Sequence, residues 1–234
     1  EVAEDVDTRG FRLAVERAHL YELSLNGTRV DPNTADRYFD EEMSAMAIGH
    51  AVQFGENVLT LRATRMHALC EVTPPYVLGE FGLRSAKRGF TICPPAALHR
   101  GPLIGQGLQF YNRGVEYSFE FKLATSARRL VVSTGQWSGS VLGVRIGDTS
   151  GWATMSRDEV VLDGLFQAGK HVLLLDLRGP FKNQMGPWHN DQGLPIPWAW
   201  EVVPTVPPAG EKYKLTDWGL APGTAAMPRL RAES

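Results

Sequence analysis

The stretch "VEYSFEFKL", residues 115 to 123, alternates apolar and polar residues without a break. Successive side chains of a strand point to opposite faces, so Val115, Tyr117, Phe119, Phe121 and Leu123 would line one side and Glu116, Ser118, Glu120 and Lys122 the other. A helix would scatter the same residues around its circumference. The reading that fits is an antiparallel strand with one buried face.

The same period recurs outward in both directions, in "FRLAVERA", "YELSLNG", "RRLVVSTG" and "SVLGVRIG", with Gly, Pro, Asn or Asp between the runs. The chain is therefore expected to be all-β. One stretch is tempting as a helix: "DEEMSAMAIGHAV", residues 40 to 52, where Met43, Met46, Ala47 and Val52 could form an apolar stripe. Gly49 and the shortness limit it to a turn or two.

A repeat is visible when the halves are aligned. Residues 54 to 61, "FGENVLTL", match residues 168 to 175, "AGKHVLLL", each following a strand that ends in a tight turn. In the first half that turn is Asn26-Gly27, suited to the two positive φ angles of a type I′ hairpin; in the second it is Gly147-Asp148. Two copies of one β unit imply two sandwich modules, residues 1–100 and 101–222, followed by a tail, 223–234. The join falls in "CPPAALHRGPLIGQG", residues 93 to 107, where Pro and Gly concentrate. Only about ten polar residues precede Phe11, so the first module is expected to lack strands or to take them from elsewhere. The small, polar tail is expected to be poorly ordered unless it docks.

A net charge of -2 with both signs interspersed provides no electrostatic footprint for nucleic acid or an anionic membrane. The longest apolar runs, such as "HVLLLDL", fall far short of the roughly 20 residues that cross a bilayer. The start shows no signal peptide, which leaves location open, with a secreted or periplasmic setting favoured over the cytoplasm. Cys70 and Cys93 are too few for a disulfide framework and read as buried thiols rather than a bridge.

The order of several motifs resembles a known family. The hairpin "LNG", then "RYFDEEM", "GENVLTL" and "YVLGEFGL", resembles the β-sandwich modules appended to large glycoside hydrolases, of the galactose-binding-like, jelly-roll type allied to the family 2 sugar-binding domain. A second such module would open with "GLQFYNRGVEY", Gly107 to Tyr117, and close with "NQMGPWH" and "YKLTDWGL", Tyr213 to Leu220. Trp188 stands where that family more often has a histidine. The resemblance covers about Phe11 to Leu220 and implies an accessory region whose partner is a glycosidase catalytic domain or companion chain. A catalytic barrel of about 250 residues does not fit in this chain.

Hydrolysis of a glycosidic bond needs two carboxylates roughly 5 to 10 Å apart across a cleft. Asp40, Glu41 and Glu42, and Asp158 with Glu159, are expected in polar loops and read as solvated charge. Ser138 in "GQWSGS" lacks the nucleophile-elbow spacing. His67, His99, His171 and His189 show no metal-ligand pattern. No residue is expected to be catalytic.

Sugar binding asks for exposed aromatic rings beside fixed hydrogen-bonding groups. "GPWHNDQGLPIPWAW" combines Trp188 with His189 and Asn190, while the alternation of Trp198 and Trp200 points that pair toward the core. Trp137 in "GQWSGS" and Trp152 in "TSGWATM" are flanked by Gly and Ser and read as turn residues whose rings pack on a neighbour or meet a ligand. Tyr111 and Arg113 in "FYNRG" form an aromatic polar loop. The expected ligand-binding set is therefore Trp188, His189, Asn190, Trp137, Trp152, Tyr111 and Arg113, and the expected ligand an oligosaccharide or polysaccharide. Related modules often hold a structural calcium, to which "HNDQG" would contribute. The alternative role is architectural: bracing a catalytic domain with no sugar affinity of its own.

Overall fold

The computed structural model describes residues 1–32, 36–65, 67–70, 73–87, 89–184, 215–222 and 227–233. The chain divides into two compact units, Glu1–Ala97 and Leu98–Ser234. Both are built of antiparallel strands, with short 3-10 turns at Ala18–Leu20, Ile104–Gln106 and Phe181–Asn183. No helix among the described residues is long and apolar enough to cross a membrane.

The first unit contains β1 (Arg12–Glu16), β2 (Glu22–Leu25), β3 (Thr28–Val30), β4 (Asp36–Tyr38), β5 (Asp40–Ala47), β6 (Leu59–Arg62), β7 (Tyr76–Leu78), β8 (Gly82–Ser85) and β9 (Phe90–Cys93). They form a sheet in the order β4-β5-β1-β7, a sheet β3-β2-β6 and a ribbon β8-β9. Leu13 and Val15 of β1, Met46 of β5, Leu23 and Leu25 of β2 and Val30 of β3 share one core.

The polar opening residues take part in that core. Val2 and Val6 are buried, and Val2 exchanges backbone hydrogen bonds of 2.8 and 2.7 Å with Gly55. The short valines do this because their neighbours on either side can stay in water while the apolar side chains turn inward.

The stretch tempting as a helix is a strand instead. β5 pairs with β1 from Met43, opposite Glu16, to Ala47, opposite Arg12, and β4 occupies its other edge. Its burial is continuous over Ser44, Ala45 and Met46 because both faces of this sheet are covered. Met46 faces the main core, and Ala45 packs with Ala14 and Tyr38 on the opposite face. A short helix must meet its nucleation cost alone, whereas the strand obtains ladder hydrogen bonds from two partners.

The second unit contains β10 (Val115–Leu123), β11 (Ala127–Ser133), β12 (Trp137–Ser138), β13 (Val141–Ile146), β14 (Thr149–Ala153), β15 (Glu159–Phe166), β16 (Gly169–Arg178), β17 (Gly219–Leu220) and β18 (Arg229–Glu233). Its sheets run β10-β16-β13-β14, β15-β11-β18 and β12-β17. Between the larger two lies a core of Leu142, Val144, Leu173, Leu175 and Leu177 from one and Leu130, Val132, Val160, Leu162 and Phe166 from the other. Trp218 and Leu220 join it.

The two sequence repeats fold alike. Asn26-Gly27 joins β2 to β3 with φ of 52° and 79°, the pair of left-handed residues that a type I′ hairpin requires. Gly147-Asp148 joins β13 to β14, and of that pair only Gly147 has a positive φ, 56°. In each unit the strand after the following Gly turn pairs on the free side of the first hairpin strand, β6 on β2 and β16 on β13.

The tail docks. Arg229–Glu233 runs antiparallel to Ser133–Arg129 on the edge of β11, where it completes a ladder otherwise left unpaired. Cys70 and Cys93 are free thiols, each half-buried rather than enclosed.

Candidate functional site

The outer face of the sheet β10-β16-β13-β14 is the surface on which the second unit assembles aromatic, apolar and charged groups together. Alternation along β16 sends His171, Leu173, Leu175 and Leu177 inward and leaves Lys170, Val172, Leu174, Asp176 and Arg178 outward. Register then sets the neighbours. Trp152 on β14 stands opposite Gly143 on β13, Gly143 opposite Asp176 on β16, and Asp176 opposite Glu116 on β10. At about 4.8 Å between strands this row is roughly 14 Å long.

Trp152 is 58% exposed. Its indole lies over Gly143: a Cβ there would meet Trp152 Cζ3 at 3.2 Å and Asp176 Cβ at 3.4 Å. Glycine is what lets the ring come this close to the sheet, and the ring in turn covers backbone that glycine leaves bare.

The next row carries Ser150, Arg145, Leu174 and Ser118. Arg145 Nη2 reaches Glu116 Oε2 at 3.3 Å, and Arg178 donates to both Asp176 and the Arg113 carbonyl. Exposed ion pairs of this kind add little stability. They do hold two carboxylates and two guanidinium groups in defined directions on the same face as the ring. Further along β16 the face forms a groove of about 580 Å³ with Val172 and Leu174 as floor and Glu120, Arg145 and Lys170 among its walls.

The structure separates the residues anticipated from sequence. Trp137 and Trp152 are strand residues, in β12 and β14, and not turn residues. Trp152 lies in a strand because β13 offers it a complete antiparallel partner. Arg113 meets the same face as Trp152 through its carbonyl, which Arg178 binds.

Trp137 lies elsewhere. It pairs with Leu220, is half-buried against the core, and lines a cleft of about 240 Å³ with Gln136, Ser138, Asp217, Trp218 and Pro222. Trp218 is 1% exposed, and Tyr111 stacks on it with ring centroids 6.3 Å apart and planes inclined by 15°. Tyr111 is thus the lid of a core tryptophan and 40% exposed. Its loop is fixed by Asn112 Nδ2 donating to Gln184 Oε1 at 2.6 Å and by Asn183, whose amide bridges the Gln109 and Thr216 carbonyls at 3.0 and 2.8 Å.

Trp188, His189 and Asn190 lie outside the described residues, as do Trp198, Trp200 and the "HNDQG" segment proposed for calcium. Among the described residues no cluster of three His, Cys, Asp or Glu side chains is placed to hold a metal ion. Asp40, Glu41 and Glu42 open β5 and Glu159 opens β15, strands rather than the expected loops, because β4 and β11 pair with them there; Asp40 accepts the Glu42 and Met43 amides at 2.9 and 3.1 Å, and Glu42 meets Arg17 at 3.2 Å, so this acidic run serves the β4-β5 turn.

Glu116, Arg145, Asp176 and Arg178 were not anticipated. The available signal was the outward set of "GKHVLLLDLR", in which Val172 and Leu174 are apolar residues on the solvent side. A run rich in leucine reads first as buried, which hides it.

A scan against known protein-family models matches none, and a search of curated proteins finds no relative.

Proposed function

We propose that this chain is a non-catalytic, carbohydrate-associated pair of jelly-roll, galactose-binding-like β-sandwich modules from a glycoside hydrolase, and that its second module holds glycan on the outer face of the sheet β10-β16-β13-β14. The observation that carries the proposal is Trp152, an exposed indole packed against Gly143 on the outer sheet face, with Asp176 on the other side of the same glycine.

A pyranose has an apolar face of C-H groups and a rim of hydroxyls. The apolar face stacks on an exposed indole, and the hydroxyls take paired donors and acceptors. Asp176, Glu116, Arg145 and Arg178 supply these from fixed positions on strands, so little side-chain freedom is lost on binding. An architectural role is the second reading. It is favoured by the exposed Phe39, Phe54 and Val58 of the first unit, apolar groups suited to covering by a glycosidase catalytic domain.

The test is isothermal titration calorimetry of the chain and its Trp152→Ala variant against a panel of oligosaccharides. Saturable heats that vanish in the variant are expected. Heats absent across the whole panel, from protein with intact circular dichroism, would leave the architectural role.

A further inference from the structure

We infer that the glycan held on this face is acidic: a uronate-bearing polysaccharide whose carboxylate sits between Lys122 and Lys170. The inference rests on the glycan-binding reading of Trp152 and names the ligand class for that surface.

Register places Lys122 of β10 directly opposite Lys170 of β16, both exposed on the outer face. Like charges directly opposite in a ladder repel. Neither lysine makes an ion pair among the described residues. The other cations of the face are matched, Arg145 by Glu116 and Arg178 by Asp176. Glu120, one row away, and the exposed Asp148 in the β13-β14 turn are carboxylates at this end, and neither pairs with the two lysines. The two lysines are thus a local pair of adjacent, unmatched cations on a chain whose net charge is -2.

A ligand that relieves the lysine pair and also reaches Trp152 must run along β16. Asp176 is six residue steps along the strand from Lys170, about 20 Å at roughly 3.3 Å per residue. That length accommodates several pyranose rings, and the path crosses the apolar floor of Leu174 and Val172, the latter 43% exposed. A carboxyl group on a pyranose lies near the plane of the ring, so a uronate leaves its C-H faces free for Trp152 and for this floor while presenting one negative charge at the rim. Nucleic acid is disfavoured because Trp152 is the single exposed ring on the face among the described residues, whereas a single strand is held by a row of stacking aromatics in a continuous basic groove.

The experiment titrates the whole chain with an oligogalacturonate, a neutral oligosaccharide of the same length and a heparin-derived sulfated oligosaccharide. It uses wild type, the double variant Lys122→Gln/Lys170→Gln and Trp152→Ala, each with circular dichroism to verify folding. The oligogalacturonate is expected to bind wild type at least tenfold more tightly than the neutral sugar at low salt. That preference should disappear in the double variant and at about 0.5 M NaCl, where the screening length is roughly 4 Å, while neutral binding persists. Trp152→Ala should weaken both. Equal affinity for neutral and uronate sugars in wild type, a preference that survives the double substitution, or a preference for the sulfated sugar with none for the uronate would overturn the inference and leave glycan binding standing. Absence of binding to all three would remove the glycan reading and this inference together.

Discussion

Replacing Trp152 with alanine separates two roles that one ring performs. The residue is 58% exposed, so about two-fifths of a side chain that buries roughly 150–250 Å² when enclosed is covered, on the order of 80 Å². At about 25 cal/mol per Å² this burial contributes about 2 kcal/mol. Residual compactness of the unfolded chain lowers the figure to about 1.5 kcal/mol. That exceeds the roughly 0.5 kcal/mol of an ordinary surface substitution. Urea unfolding followed by far-ultraviolet circular dichroism reads it directly. The same variant should lose sugar affinity by about tenfold or more, equivalent to about 1.4 kcal/mol of stacking. Gly143→Ala supplies the second leg of a cycle. Its Cβ would sit 3.2 Å from Trp152 Cζ3 and must lift the ring, so it should weaken binding in wild type yet be tolerated in the Trp152→Ala background. A nonzero coupling between the two substitutions is expected for groups in contact. Stability within 0.5 kcal/mol of wild type for Trp152→Ala, or additive effects of the pair, would refute the placement of the ring over Gly143.

Three other outcomes are expected. Asn26→Ala removes the amide that donates to Ala51 and Asn57 at 2.9 and 2.8 Å and accepts the Val58 amide at 2.8 Å; with a left-handed turn residue lost as well, a cost of roughly 3 kcal/mol should appear in urea unfolding of the first unit. Deleting residues 228–234 strips β18 from the edge of β11, and the exposed ladder should drive association visible by light scattering, whereas a monodisperse truncated protein would show that β18 protects nothing. Burial raises the Tyr117 phenol, with the Leu220 backbone amide opposing. The folded chain therefore binds that proton more tightly than the unfolded one, so this contribution is whole below about pH 10 and is lost as pH rises through the folded value. The urea midpoint should fall between pH 9 and pH 11, and Tyr117→Phe should make the fall shallower. An unchanged slope in that variant would assign the alkaline loss to Tyr76, whose phenol is raised by burial and then by the Tyr38 and Glu16 charges.

The all-β class, the hairpin turn at Asn26-Gly27 and the likeness of the two halves were determined by sequence alone, because period-2 alternation and left-handed turn residues are local properties of the chain. "VEYSFEFKL" has the alternating burial its pattern predicts. The stretch from Asp40 to Ala47 misled for the complementary reason: with both faces covered, its burial loses the alternation that marks a strand, and only its partners β1 and β4 define it. The candidate surface depended still more on tertiary structure. Trp152, Gly143, Asp176 and Glu116 are neighbours through three separate pairings spanning 60 residues, and no local pattern specifies which strand will lie beside which. The types of residue were legible one by one. Their meeting on one face was decided by the register of long-range pairing, which is set where each strand gains most from burying its apolar side.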